Sequence, residues 1–168
     1  STQLPQFLAA AGYRRIAVTQ PRRISAVSLA RRVALEAGDT HGAEVGYKVR
    51  FSSSVAADSR IVFCTEGILL RELAGDPTLS SYDVIVLDEV HERHLTTDFL
   101  LALLRALLLQ RPELRLLLMS ATINCAAFAE YFGGSPVVQI PGRLYPIQLV
   151  YMPPEMTQGS AEGDARRR

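Results

Sequence analysis

The stretch Val84-Ile85-Val86-Leu87-Asp88-Glu89-Val90-His91-Glu92-Arg93 constrains the fold more than any other part of the chain. Four apolar residues with no polar alternation suit a strand covered on both faces, as in a parallel sheet sandwiched between helices. The carboxyl ends of such strands form the edge where α/β folds bind ligands. Two adjacent carboxylates at that edge are a common way to hold Mg²⁺ against a nucleotide phosphate and to position an attacking water. Taken alone, Asp-Glu-Val-His also reads as an acidic strand end followed by a turn. The apolar strand in front of it supplies the setting that the motif needs.

The rest of the chain repeats the alternation. Helices are expected over 2–11, 22–37, 66–74, 97–110 and 124–132. Strands are expected over 15–19, 45–51, 60–64, 83–87, 114–119, 137–140 and 147–151. The second helix carries the apolar stripe Ile24, Val27, Ala30, Val33 and Ala34, at helical spacing. Thr96 or Thr97 is the expected N-cap of the fourth. Strands alternating with helices predict an α/β fold with a mostly parallel sheet and helices on both faces. From residue 153 the composition turns to Pro, Gly, Ser and charge, and a disordered tail is expected.

With 168 residues, 48% of them hydrophobic, there is enough chain for one domain with a real core. The formal net charge of +1 means that any polyanion-binding surface must be local. Lys48 is the sole lysine among many arginines. That skew fits planar, bidentate phosphate contacts, and it equally fits a biased coding composition. Cys64 and Cys125 have neither metal-ligand nor disulfide-framework spacing. No signal-peptide pattern is visible. The longest apolar stretch, 99–109, contains Arg105 and falls short of the roughly 20 residues a bilayer requires. An intracellular protein is expected, nuclear or cytoplasmic, without a membrane. The chain opens at Ser1 rather than Met, on what reads as the interior of a helix, and is expected to be a fragment.

Three further junctions lie where expected strands end. Thr19-Gln20-Pro21-Arg22-Arg23 opens a helix whose backbone N–H groups favour anions. It suits a nucleic-acid backbone or, equally, a solvated basic helix start. Thr65-Glu66-Gly67 is a second such corner, which a simple Thr N-cap would also explain. Ser120-Ala121-Thr122 follows the strand after the acid pair. As a lone tripeptide it is a hydroxyl-rich turn. Beside Asp88 and His91, its hydroxyls could relay a change at a phosphate site. All four stretches should share one edge of the sheet.

As a set, in this order, they resemble the DEAH-box (DEAH/RHA) RNA helicases of superfamily 2, and specifically the first of that family's two RecA-like domains. Residues 1–8 are similar to the end of the phosphate-binding loop and the helix after it. Thr19–Arg23 resembles motif Ia, 46–51 a strand typical of the family, and 65–67 motif Ib. Asp88–Arg93 resembles motif II with Val90 where Ala is usual, Ser120–Thr122 motif III, and 141–143 the exit toward the second domain. The resemblance implies that residues 1–141 form a RecA-like P-loop NTPase domain truncated within the loop. Residues 142–168 would then lead toward a second RecA-like domain.

Roles follow residue by residue from the resemblance. Ser1 and Thr2 would belong to the ATP site, and Ser1 and Asp88 would hold Mg²⁺. Glu89 would orient or activate the hydrolytic water. His91, Ser120 and Thr122 would couple nucleotide state to strand movement. Arg32 would stack on adenine. Arg22, Arg23, Arg50 and Thr65 would face the RNA backbone without reading sequence. The implied activity is Mg-ATP hydrolysis coupled to movement on single-stranded RNA, with unwinding or remodelling of RNA–protein particles. Partners would be RNA, the second RecA-like and C-terminal domains, and protein activators. The Gly-Lys pair that should precede Ser1 is absent from the chain, as are the second domain's arginine fingers, so the isolated chain is expected to turn over negligibly. The rival expectation is an RNA-binding scaffold of the same fold without turnover.

Overall fold

The computed structural model describes residues 1–39, 44–121, 125–142 and 145–151. Helix α1 (Gln3–Ala10) is followed by β1 (Ile16–Gln20), α2 (Arg23–Glu36), β2 (Val45–Val49), β3 (Ser52–Ser54) and β4 (Ile61–Thr65). Next come α3 (Glu66–Gly75), β5 (Val84–Leu87), a 3₁₀ turn (Val90–Glu92), α4 (Leu95–Gln110), β6 (Arg115–Leu118) and α5 (Cys125–Tyr131). The strands form one six-stranded sheet in the order β3-β2-β4-β1-β5-β6. Every pairing is parallel except the β2–β3 hairpin.

Alternation along the central strands builds two cores. Ile16, Val18, Ile61, Phe63, Val84 and Val86 face Ala26, Ala30 and Val33 of α2, with Leu4 and Leu8 of α1 packed against them. Ala17, Cys64, Ile85 and Leu87 face the other way, toward Leu69 and Leu73 of α3 and Leu100, Leu101, Leu104 and Leu107 of α4. A strand buried on both faces has no polar side to show, which is why β5 and the first three residues of β1, Ile16 to Val18, read as unbroken apolar runs.

The structure corrects four sequence expectations. The strand expected over 45–51 ends at Val49. The chain then turns through Arg50 and Phe51 (φ 67°) and returns as the antiparallel β3. Three serines carry no apolar alternation, so nothing in their composition announces a strand. Neither Thr96 nor Thr97 caps α4. The cap position is His94, and the helix starts earlier than expected. Residues 137–140 and 147–151 form no strand, and their apolar side chains are exposed. Period-two patterning gives a segment the side chains of a strand, but the strand exists only where a neighbour completes the ladder. The chain divides into two compact units, Ser1–Val137 and Val138–Arg168. In the second, the described residues carry neither helix nor strand.

Candidate active site

Strand register sets the site. Thr19 lies level with Leu87 and with Cys64, Gln20 with Thr65, and Leu87 with Leu118. The residues just past these positions therefore emerge on one rim. Asp88, 4% exposed, is the centre of a hydrogen-bond cluster there. Ser1 Oγ donates to its Oδ2 at 2.6 Å, and Gln20 Nε2 donates to the same oxygen at 2.6 Å. The Glu89 backbone N–H donates to Oδ1 at 2.9 Å. Three donors on one buried carboxylate fix its orientation. Sequence reasoning missed Gln20, which is 3% exposed. The available signal was the polar pair Thr19-Gln20 closing a strand that begins apolar, directly before Pro21.

Beyond Asp88 the backbone folds sharply. Glu89 (φ 58°) and Arg93 (φ 50°) both adopt the left-handed conformation and bracket the 3₁₀ turn. Non-glycine residues held in that region concentrate at functional sites. The Val90 N–H donates to the Met119 carbonyl at 3.1 Å, tying the turn to the end of β6. His91 Nδ1 accepts the Ala121 N–H at 3.4 Å and lies 3.5 Å from Glu89 Oε2. The two contacts need opposite states of Nδ1. The first uses its lone pair, and the second, as an ion pair, requires a proton on the ring. His91 is thus placed between the carboxylate and the tripeptide that starts at Ser120, itself exposed on the same rim. Thr122 lies outside the described residues.

The remaining expected residues occupy the rim unequally. Arg22 reaches Glu92 at 3.8 Å, next to the acid pair. Arg23 opens α2 with an exposed side chain. Thr65 occupies the N-cap position of α3 without a side-chain cap bond, so the simple capping explanation does not hold. Thr2 stands at the N-cap of α1, also without a side-chain cap, and its carbonyl accepts from Gln6 Nε2 at 3.1 Å. Arg32 Nε donates to Glu36 Oε1 at 2.6 Å. Glu36 Oε2 accepts from Gln3 (3.0 Å) and Gln6 (2.9 Å), which links Arg32 to the helix that follows Ser1. The Arg32 guanidinium and then Gln6 hold the Glu36 carboxyl below its ordinary pKa. Arg50 stacks over Phe51 at 4.8 Å on the β2–β3 hairpin, three strands from β5 and apart from the carboxylates.

No family model matches the chain. Individual proteins do. It is 52% identical, over 164 residues and 98% of its length, to mouse "Probable ATP-dependent RNA helicase DHX34". It is 54% identical over 155 residues to the human protein of that name, and 46% identical over 159 residues to the Arabidopsis thaliana "DExH-box ATP-dependent RNA helicase DExH1". This segment belongs to the DEAH/DExH-box helicase family. It spans only about 14–16% of the length of these relatives.

In this helicase-family segment a cleft of about 470 Å³ opens beside the rim, lined by His91, Arg93, Asp98, Ser120, Phe128 and Tyr131 among others. Arg93 is held in place by a two-pronged bond to Asp98 (2.9 and 3.0 Å). Among the described residues no cluster of three or more His, Cys, Asp or Glu side chains could hold a metal unaided. Mg²⁺, however, is normally held by one or two protein oxygens together with waters and phosphate. Ser1 Oγ and Asp88 Oδ2, adjacent and both hard oxygen donors, fit that role. No helix among the described residues is long and apolar enough to cross a membrane.

Proposed function

We propose that residues 1–141 are the first RecA-like domain of an ATP-dependent RNA helicase, working with a second RecA-like domain and C-terminal domains supplied beyond this chain. In this reading Ser1 and Asp88 hold Mg²⁺, and Thr2 and Arg32 contribute to the nucleotide site. When bound, the metal neutralises charge on the nucleotide phosphates. Gln20 keeps the Asp88 carboxylate aimed at that position. Glu89, held out from the turn by its left-handed backbone, orients the attacking water and accepts its proton.

His91 exchanges partners between Glu89 and the Ala121 N–H as charge develops and disperses. It passes the change to Ser120 and Thr122, and so couples hydrolysis to movement of the bound strand. Arg22, Arg23, Thr65 and Arg50 contact RNA phosphates without reading bases. Movement on single-stranded RNA, with unwinding or remodelling, is the outcome. The observation that carries this reading is the rim itself, where Ser1, Gln20 and Glu89 converge on Asp88 while His91 bridges Glu89 to Ala121.

The test is ATP hydrolysis by the full-length protein with and without poly(U), wild type against Glu89→Gln. A loss of about 10²–10⁴-fold is expected for removal of a general base. Equal background rates in both proteins would instead leave an RNA-binding module without turnover.

A further inference from the structure

Glu66 is the first residue of α3 and only 5% exposed. The ion pairs among the described residues do not include it. Its carboxylate is satisfied by two hydroxyls from a different helix. Thr96 Oγ1 donates to Oε2 at 2.6 Å, and Thr97 Oγ1 donates to Oε1 at 2.6 Å. These are short, charge-assisted bonds, and the N-terminal end of α3 adds a favourable dipole. The two threonines have the side chains of N-caps, yet both are turned away from that use.

The contact closes a ring. Glu66 follows Thr65, which lies level with Gln20 in the β1–β4 register. Gln20 donates to Asp88. From Asp88 the chain runs through Glu89, His91 and Arg93 into the first turn of α4, where Thr96 and Thr97 return to Glu66. Arg93 grips Asp98 in that same turn, so the turn and the motif preceding it are fastened together. A shift of the segment after Asp88 would therefore displace the threonines, and Glu66 would carry the displacement to the Thr65 corner.

We propose that Glu66 is a positioning residue that couples the RNA-facing Thr65 corner to the Asp88–Arg93 segment through Thr96 and Thr97. This rests on the function proposed above. It assigns the coupling a second route, which does not use the His91 side-chain contacts or the Ser120 tripeptide, on the opposite side of β1 from β6.

The test uses the full-length protein with Glu66→Gln, Thr97→Val and Thr97→Ser, following ATP hydrolysis against poly(U) concentration and without RNA, with a melting curve for each variant. The RNA-free rate should stay within about twofold of wild type, while the maximal RNA-stimulated rate falls about 5- to 150-fold in Glu66→Gln and Thr97→Val, the usual range of a coupling free energy. Thr97→Ser, which keeps the hydroxyl, should retain stimulation. If Glu66→Gln melts below the assay temperature, Thr97→Val decides. A parallel fall of both rates would make the contact merely structural and overturn the proposal, as would undiminished stimulation in both variants. A wild-type protein that RNA does not stimulate would overturn the functional reading and this coupling with it. Stimulated wild type with equally stimulated variants overturns the coupling alone.

Discussion

Replacing Gln20 with Met removes one donor from a buried carboxylate while nearly preserving side-chain length. Gln20 and Asp88 are 3% and 4% exposed, and the lost bond is 2.6 Å long. Hydrogen bonds to charged groups are worth about 1.5–3 kcal/mol. The lower half of that range applies, because Ser1 Oγ still satisfies Oδ2 and the Glu89 N–H still satisfies Oδ1. For a chain of this size each kcal/mol moves the melting temperature about 2–4 °C, so a drop of roughly 3–9 °C is expected. The decisive assay is a double-mutant cycle of Gln20→Met and Asp88→Ala by chemical denaturation. The cycle should return a coupling of about 1 kcal/mol or more, above the roughly 0.5 kcal/mol that independent sites show. Additive effects would refute the claim that Gln20 orients Asp88. Gln20→Glu should be worse than Gln20→Met, since it sets a second carboxylate against the first, and added Mg²⁺ should narrow that gap.

Burial, and then the neighbouring Glu72 carboxylate, push the Cys64 thiol up to about 12, so a thiol reagent at neutral pH should modify Cys125 and spare Cys64 until the protein unfolds. Equal labelling of both in the native state would contradict the packing of β4. A methyl group on Gly46 would meet the Ser54 carbonyl oxygen and lie 3.0 Å from Val55. Gly46→Ala should therefore destabilise the chain by about 1–3 kcal/mol in urea denaturation. An unchanged midpoint would mean that β3 is not packed there. Asp76 accepts from the Thr78 hydroxyl (2.6 Å), the Ser80 hydroxyl (2.7 Å) and both their backbone N–H groups. These bonds, the Thr78 hydroxyl foremost, hold its pKa well below the ordinary 3.8. A depressed folded value contributes stability above the ordinary carboxylate pKa and loses it as pH falls toward the folded value. The stability difference between wild type and Asp76→Asn should therefore be largest near neutrality and shrink in acid. A difference that grows on acidification would reverse the assigned sign.

Much of the site was legible because its signals are local. Asp88 and Glu89 follow an apolar run, and a run of that kind at that length has few other uses than a covered strand. Ser120 could be expected near His91 because consecutive α/β units place successive strand ends on one rim. The partners were not legible. Nothing in the residues around Gln20 names Asp88, 68 positions away, as its acceptor. Thr96 and Thr97 have cap chemistry, and local propensity favours that use. They serve Glu66 instead because α3 and α4 pack side by side and a buried carboxylate needs donors more than an exposed helix end does. Arg50 sits in a turn that the apolar alternation of 45–51 disguised as strand.

From composition and pattern alone came the layering: apolar runs covered on two faces, helices with one apolar stripe, and acid, hydroxyl and basic groups at strand ends. Those follow from solvent exclusion, which acts residue by residue and leaves a periodic trace in the chain. Which strands pair, which edge residues meet and which donors reach Asp88 and Glu66 were decided only when the sheet took its β3-β2-β4-β1-β5-β6 order. Hydrogen bonds act over about 3 Å in space, and sequence separation carries no information about that distance until the strands are in register.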